Sequence, residues 1–161
     1  AARIIETLPR SVLKVAVFVN EPAESVMSVA AGAGLDVVQL HGDESPDALP
    51  RGLRIWKAFR VDADFKAGDL EKFDVEAFVL DAPSPELFGG TGRTFDWSRA
   101  AGTARKIILA GGLDEHNVRT AIQTVRPWGV DACSRLESSP GRKDHGKMAR
   151  FLRAALSEGL E

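Results

Sequence analysis

The chain has 161 residues, 44% of them hydrophobic and 27% charged, enough for one globular domain with a sizeable core. Its 21 basic and 23 acidic side chains leave a formal net charge of -2 and form no basic block or stripe, which argues against a nucleic-acid partner. No apolar run approaches the roughly 20 residues that span a bilayer and no signal-peptide pattern opens the chain, so a cytoplasmic protein without a membrane role is expected. The single cysteine, Cys133, can form neither an internal disulfide nor a CxxC motif.

Apolar runs bounded by turn residues alternate with stretches of helical period, the pattern of βα units around a parallel sheet. Ala1-Ala2-Arg3 opens without a methionine on what reads as the end of a helix, so a segment upstream is expected. The first strand is predicted over Lys14–Asn20, nearly continuous in apolar residues as a strand buried on both faces should be. Glu21-Pro22 then starts a helix through Val26, Val29 and Ala30, ended by Gly32 and Gly34. Val37–Gly42 is the second strand, followed by a short helix that begins at Ser45-Pro46-Asp47. The third runs Arg54–Val61, and the fourth is Ala77–Asp81, before a Gly- and Pro-rich loop over Ala82–Thr94. Lys106–Ala110 is the fifth, ending in Gly111-Gly112 and a helix from about Asp114 to Val125. The sixth, Gly129–Cys133, leads through a loop with Ser138-Ser139-Pro140-Gly141 to a last helix predicted to bury Met148, Phe151, Leu152, Ala155 and Leu156. Six βα units of this kind form either an open doubly wound sheet or part of a closed barrel, and spacing alone does not choose.

The loops after the strands carry the chemistry. Asp81 ends an apolar strand, where a raised pKa would suit a general acid, although a lone aspartate there serves equally well as a cap. His41 also ends a strand, a place where histidine is commonly a structural hydrogen-bonder. Gly111-Gly112 would let the backbone approach an anion, and a second turn at Ser134-Arg135 makes a paired phosphate site at the end of a barrel conceivable. An isolated Gly-Gly pair is commonly a plain βα turn. Asp131 and Glu137 flank the last strand and read as structural; Asp114 reads as a helix N-cap. Lys57, Arg60 and Arg93 could each meet an anionic substrate, and His116 and His145 lack metal-ligand spacing, so no metal is expected.

Taken in order, Val17-Phe18-Val19-Asn20, Val38-Gln39-Leu40-His41-Gly42, Leu80-Asp81, Gly89-Gly90-Thr91-Gly92, Phe95-Asp96-Trp97, Leu109-Ala110-Gly111-Gly112-Leu113, Asn117-Val118, Val130-Asp131 and Glu137–Asp144 resemble phosphoribosylanthranilate isomerase over essentially the whole chain. The resemblance implies a (β/α)8 TIM barrel of which strands three to eight are present in one partial barrel domain, 1–161, with the first two strands and the first helix missing. It also implies an Amadori rearrangement of N-(5-phosphoribosyl)anthranilate to 1-(2-carboxyphenylamino)-1-deoxyribulose 5-phosphate in tryptophan biosynthesis, without cofactor or metal. Asp81 would be the general acid. Gly111, Gly112, Ser134, Arg135, His41 and Arg93 would bind the phosphorylated substrate, and the general base would be a cysteine of the missing first strand. The 161-residue chain by itself is therefore expected to be inactive, with edges open at the first and last strands.

Two departures from the family pattern stand out. Cys133 falls where the pattern has serine, so it is not the family's catalytic cysteine. Arg135 stands where the pattern has a glycine at the phosphate, and either crowds the anion or binds it by charge. The competing expectation is a non-catalytic barrel that binds a phosphorylated ligand. A relative of indole-glycerol-phosphate synthase fits the motif order less well. Monomer or homodimer, and fusion to enzymes of the same pathway, are left open by the sequence.

Overall fold

A computed structural model describes residues 2–83 and 94–159. Most of the Gly- and Pro-rich loop, including Gly89-Gly90-Thr91-Gly92 and Arg93, lies outside the described residues. After a one-turn helix, α1 (Ala2–Ile5), come β1 (Val15–Phe18), α2 (Ala23–Ala33), β2 (Val37–Leu40), β3 (Ile55–Arg60), β4 (Ala77–Asp81) and β5 (Ile107–Leu109). They are followed by α3 (Val118–Val125), β6 (Gly129–Val130), β7 (Glu137–Ser139), β8 (Arg142–Lys143) and α4 (His145–Leu156).

The first six strands form one curled parallel sheet in the order β1-β2-β3-β4-β5-β6, as the alternating pattern predicts. Sheet register sorts the side chains onto two faces. Val17 pairs with Gln39, Gln39 with Trp56 and Trp56 with Ala77; further along, Ala58 pairs with Val79 and Val79 with Ile108. Ala58, Ala77, Val79, Ile108 and Ala110 pack together on this concave face, where small and β-branched residues suit the tight curl. The alternate residues, among them Phe78, Leu80, Ile107 and Leu109, point outward into a core shared with Val118, Ala121 and Ile122 of α3 and Phe151 of α4. Val38, Leu40 and Ile55 meet Val26 and Ala30 of α2 in the same way. Burial on both faces explains why these strands read as continuous apolar runs.

The concave face is open between the edge strands. A hollow of about 480 Å³ there is lined by Val15, Val17, Trp56, Ile108, Trp128 and Val130, among others, and Val17 is 57% exposed. Trp56 and Trp128 meet edge to face across it, with ring centroids 5.9 Å apart. Among the described residues no helix is long and apolar enough to cross a membrane.

Several local expectations are corrected. Gly32 lies inside α2, and Gly34 ends it: at φ 63 its N–H reaches back to Ala30 and Ala31. The sixth strand is shorter than Gly129–Cys133, because β5 turns away at Gly111-Gly112 and leaves residues beyond Asp131 without a ladder partner. The segment around Ser138-Ser139-Pro140-Gly141 is the tip of an antiparallel hairpin, β7-β8, and not a plain loop. On α4 the buried strip is Phe151, Ala154 and Ala155, with Met148 partly covered, while Leu152 and Leu156 are 52% and 65% exposed. Its contact surface, α3 and the turn Ser134–Leu136, is narrower than the apolar stripe.

Phe78 is fully buried between β4 and the outer helices. Phe78→Ala should cost about 3–5 kcal/mol, read as a lowered urea midpoint, since it leaves a cavity as well as losing transfer free energy.

Candidate active site

Because the six strands run the same way, their carboxyl ends meet at one rim. Asp81, the last residue of β4, is buried there. Its Oδ1 accepts the Ala82 N–H at 2.8 Å and its Oδ2 lies 3.5 Å from His41 Nε2. Burial pushes the Asp81 pKa above the ordinary carboxylate value, with Asp131 adding to the rise; His41, the Ala82 N–H and Arg60 pull the other way. His41 is displaced in the opposite sense. Burial lowers its pKa, Asp81 and Asp131 raise it, and Lys57 and Arg60 lower it further. A carboxyl group shifted toward keeping its proton thus faces an imidazole shifted away from taking one.

Asp131 follows β6 on the same rim, and the protein atoms around it push its pKa up although part of it faces solvent on the open side. From sequence alone Asp131 reads as structural. The available signal was its position, a carboxylate directly after a strand in parallel with Asp81.

Gly111 and Gly112 sit beside Asp81, both in the left-handed region with φ 86 and φ 62. A Cβ on Gly111 would stand 2.5 Å from the Ala82 nitrogen, so the turn requires glycine on steric as well as conformational grounds. Asp114 and Asn117 then cap each other's N–H groups, and the Asn117 amide donates to the Gly112 carbonyl at 2.9 Å. The expected helix start and N-cap at Asp114 are corrected: Asp114 accepts the His116 N–H in the turn ahead of α3, and α3 itself starts at Val118 with Asn117 as its N-cap. Across the turn, Arg135 Nη1 meets Asp114 Oδ2 at 3.0 Å. A hollow of about 40 Å³ lies between Asp81, Gly111, Gly112, Asp131, Ser134 and Arg135. The two turns expected to make a paired anion site are therefore brought together with the expected acid.

A larger hollow, about 580 Å³, opens beside it between β2 and β3 and is lined by His41, Arg60 and Phe59, among others. Lys57, expected to meet an anionic substrate, is 3% exposed on the wall of this hollow and paired with Glu44 at 3.0 Å. Its charge is spent inside the protein. Cys133 is exposed, with Lys143 Nζ 3.1 Å from its sulfur, and Glu137 pairs with the same lysine at 2.8 Å. His116 is exposed at a turn and His145 opens α4.

A curled parallel sheet with buried acid–imidazole chemistry and a glycine cradle at its carboxyl rim is the arrangement of a barrel-type α/β enzyme. A family profile described as N-(5'phosphoribosyl)anthranilate (PRA) isomerase matches residues 1–154, and the chain belongs to that family. It is 51% identical over 142 residues to an N-(5'-phosphoribosyl)anthranilate isomerase of Solibacter usitatus, which spans 88% of this chain and 71% of that protein. The crystal structure of phosphoribosyl anthranilate isomerase from Thermotoga maritima superposes with a TM-score of 0.83 at 36% identity, covering 97% of this chain and 78% of that one. A phosphoribosyl anthranilate isomerase in complex with reduced 1-(o-carboxyphenylamino)-1-deoxyribulose 5-phosphate superposes at 0.77 and 34% identity, with 97% and 77% covered.

The raised Asp81 pKa has a consequence for stability. Below the ordinary carboxylate range the group is protonated in both folded and unfolded chains; as pH rises through its raised folded value, the fold must hold a buried charge and loses stability. Asp81→Asn keeps an oxygen for the Ala82 N–H. It should be more stable than the native protein at neutral pH, the difference closing as pH falls through the carboxylate range. Urea unfolding at a series of pH values checks this, and equal stability at neutral pH would contradict it.

Proposed function

We propose that this protein catalyses the Amadori rearrangement of N-(5-phosphoribosyl)anthranilate to 1-(2-carboxyphenylamino)-1-deoxyribulose 5-phosphate, with Asp81 as general acid. The observation that carries the reading is the contact of three features at one rim: a buried aspartate of raised pKa, a histidine of lowered pKa, and a left-handed Gly-Gly turn. Asp81 donates its proton to the ribose ring oxygen as the C1–O bond breaks, which leaves a protonated Schiff base between C1 and the anthranilate nitrogen. Loss of the C2 proton then gives an enolamine, which tautomerises to the ketone. Substrate and product are isomers, so no redox partner is needed.

The phosphate sits on the N–H groups of Gly111, Gly112 and Ser134 and on Arg135, a setting in which glycine backbone and cationic charge act together. His41 and Arg93 meet the rest of the substrate. In the same reading, β1 to β6 are strands three to eight of an eight-stranded barrel in one domain. The apolar hollow at Val17 and Trp56 is then barrel interior that two further strands fill. The C2 proton goes to a cysteine of the barrel's first strand, which β1 to β6 do not include. Cys133 takes no part: it lies beyond β6, tied to Lys143.

In the full-length protein, Asp81→Asn should cut turnover by roughly 10²-fold or more while circular dichroism stays native, because general acid catalysis contributes about 10² to 10⁴. Loss of substrate fluorescence follows the reaction, and near-normal turnover would remove Asp81 from the mechanism. Arg135→Gly should raise KM for the phosphorylated substrate and leave kcat largely unchanged. An unaltered KM would move Arg135 away from the phosphate.

A further inference from the structure

Lys57 and Glu44 are both buried, with 3% and 6% of their side chains exposed, and both lie off the proposed reaction path. A buried ion pair is weak evidence for stability, since well-packed apolar side chains often serve as well or better. What these two touch suggests another use. Lys57 Nζ donates to the carbonyls of Leu40 at 3.3 Å, Gly42 at 2.8 Å and Ala58 at 3.0 Å. The Glu44 carboxylate accepts the N–H groups of Asn20 at 2.9 Å and Gly42 at 3.0 Å, and pairs with Lys57 at 3.0 Å. The pair therefore ties together the chain just past β1, the chain just past β2, and β3 itself.

His41 stands at the centre of this knot. The residues on either side of it, Leu40 and Gly42, give their carbonyls to Lys57, and its own N–H donates to Phe18 at 2.8 Å. Asn20 closes the other side. It adopts φ 55, its Oδ1 accepts the Asp43 N–H at 2.7 Å, and it presses so close to Gly42 that a Cβ there would lie 2.2 Å from that oxygen. With its backbone held from both neighbours, the His41 side chain has its starting point fixed, and its Nε2 reaches within 3.5 Å of Asp81 Oδ2.

We propose that the Lys57–Glu44 pair is a positioning element of the active site: by clasping the ends of β1, β2 and β3 it fixes His41 against Asp81. The proposal rests on the reading of Asp81 as the acid only for its effect on turnover; the geometry stands apart from it. The charged and titratable groups around His41 are Asp81, Asp131, Lys57 and Arg60.

The test is a mutant cycle read by NMR titration of the His41 imidazole in the full-length protein. Lys57→Met alone strands the Glu44 charge and could unfold the chain, so the informative variant is Lys57→Met with Glu44→Gln, which removes both charges at similar volume. Glu44→Gln alone is the milder companion and should move each readout in the same direction. In the native background, Asp81→Asn should lower the His41 pKa, since the Asp81 charge raises it. In the double variant the same change should shift it by less than half as much, and kcat should fall about tenfold with KM within about twofold, as expected for a small misplacement. An undiminished coupling between positions 41 and 81 together with native kcat would overturn the clasp. If Asp81→Asn leaves turnover of the native background intact, the acid assignment fails, and the titration still decides the clasp.

Discussion

The parallel pairing of six strands is the constraint on which the remaining structure depends. Parallel strands cannot be joined by tight hairpins, so each needs a crossover that covers one face of the sheet. Every crossover returns the chain to the same starting edge, and every strand ends at the same rim. Residues as far apart in sequence as His41, Asp81, Gly111 and Asp131 become neighbours because each follows or ends a strand. The outward faces are filled by helix side chains, and the concave face by small residues such as Ala58 and Ala77 that permit the curl. The rim is then free to carry polar groups at no expense to the core.

Those polar groups are held at some cost. Asp81 is surrounded by protein on most sides and accepts the adjacent N–H, with His41 near its outer oxygen. Burial opposes charge on both groups, and it does so in opposite directions, raising the acid and lowering the base. Both shifts run toward the uncharged form of each group. This is the condition under which a carboxyl group can donate a proton near neutral pH. Gly111 adds a steric condition, since its left-handed turn leaves room for the Ala82 N–H that fixes the carboxylate.

The strands were legible in the sequence because burial on both faces writes itself as uninterrupted runs such as Ile107–Leu109 and Ala77–Leu80. Strand-end chemistry was legible for the same reason: a polar residue that closes such a run, as Asp81 and His41 do, must emerge at the rim. Their mutual distance was not, because β3 lies between β2 and β4 and the curl alone brings them to 3.5 Å. The pairing of Lys57 was not legible, since charge in a strand suggests an outlet to solvent or ligand, whereas its partner Glu44 sits in a loop that no local pattern marks. The α4 stripe was rotated because periodicity reports which residues are apolar and is silent on the width of the surface that receives them. The β7-β8 hairpin is short and polar, and its strands, Glu137–Ser139 and Arg142–Lys143, carry none of the alternation that identifies a half-buried sheet.

The paired indoles on the concave face give the protein an optical handle. Trp56 and Trp128 stand edge to face, Lys106 rests over the Trp128 ring with its ammonium 5.0 Å from the centroid, and Trp128 remains 39% exposed. Indole emission moves to shorter wavelength as water leaves the ring, and a nearby ammonium perturbs it further. Whatever polypeptide or solvent occupies the space between the edge strands is therefore reported in the emission colour of two tryptophans at the amino-terminal ends of β3 and β6.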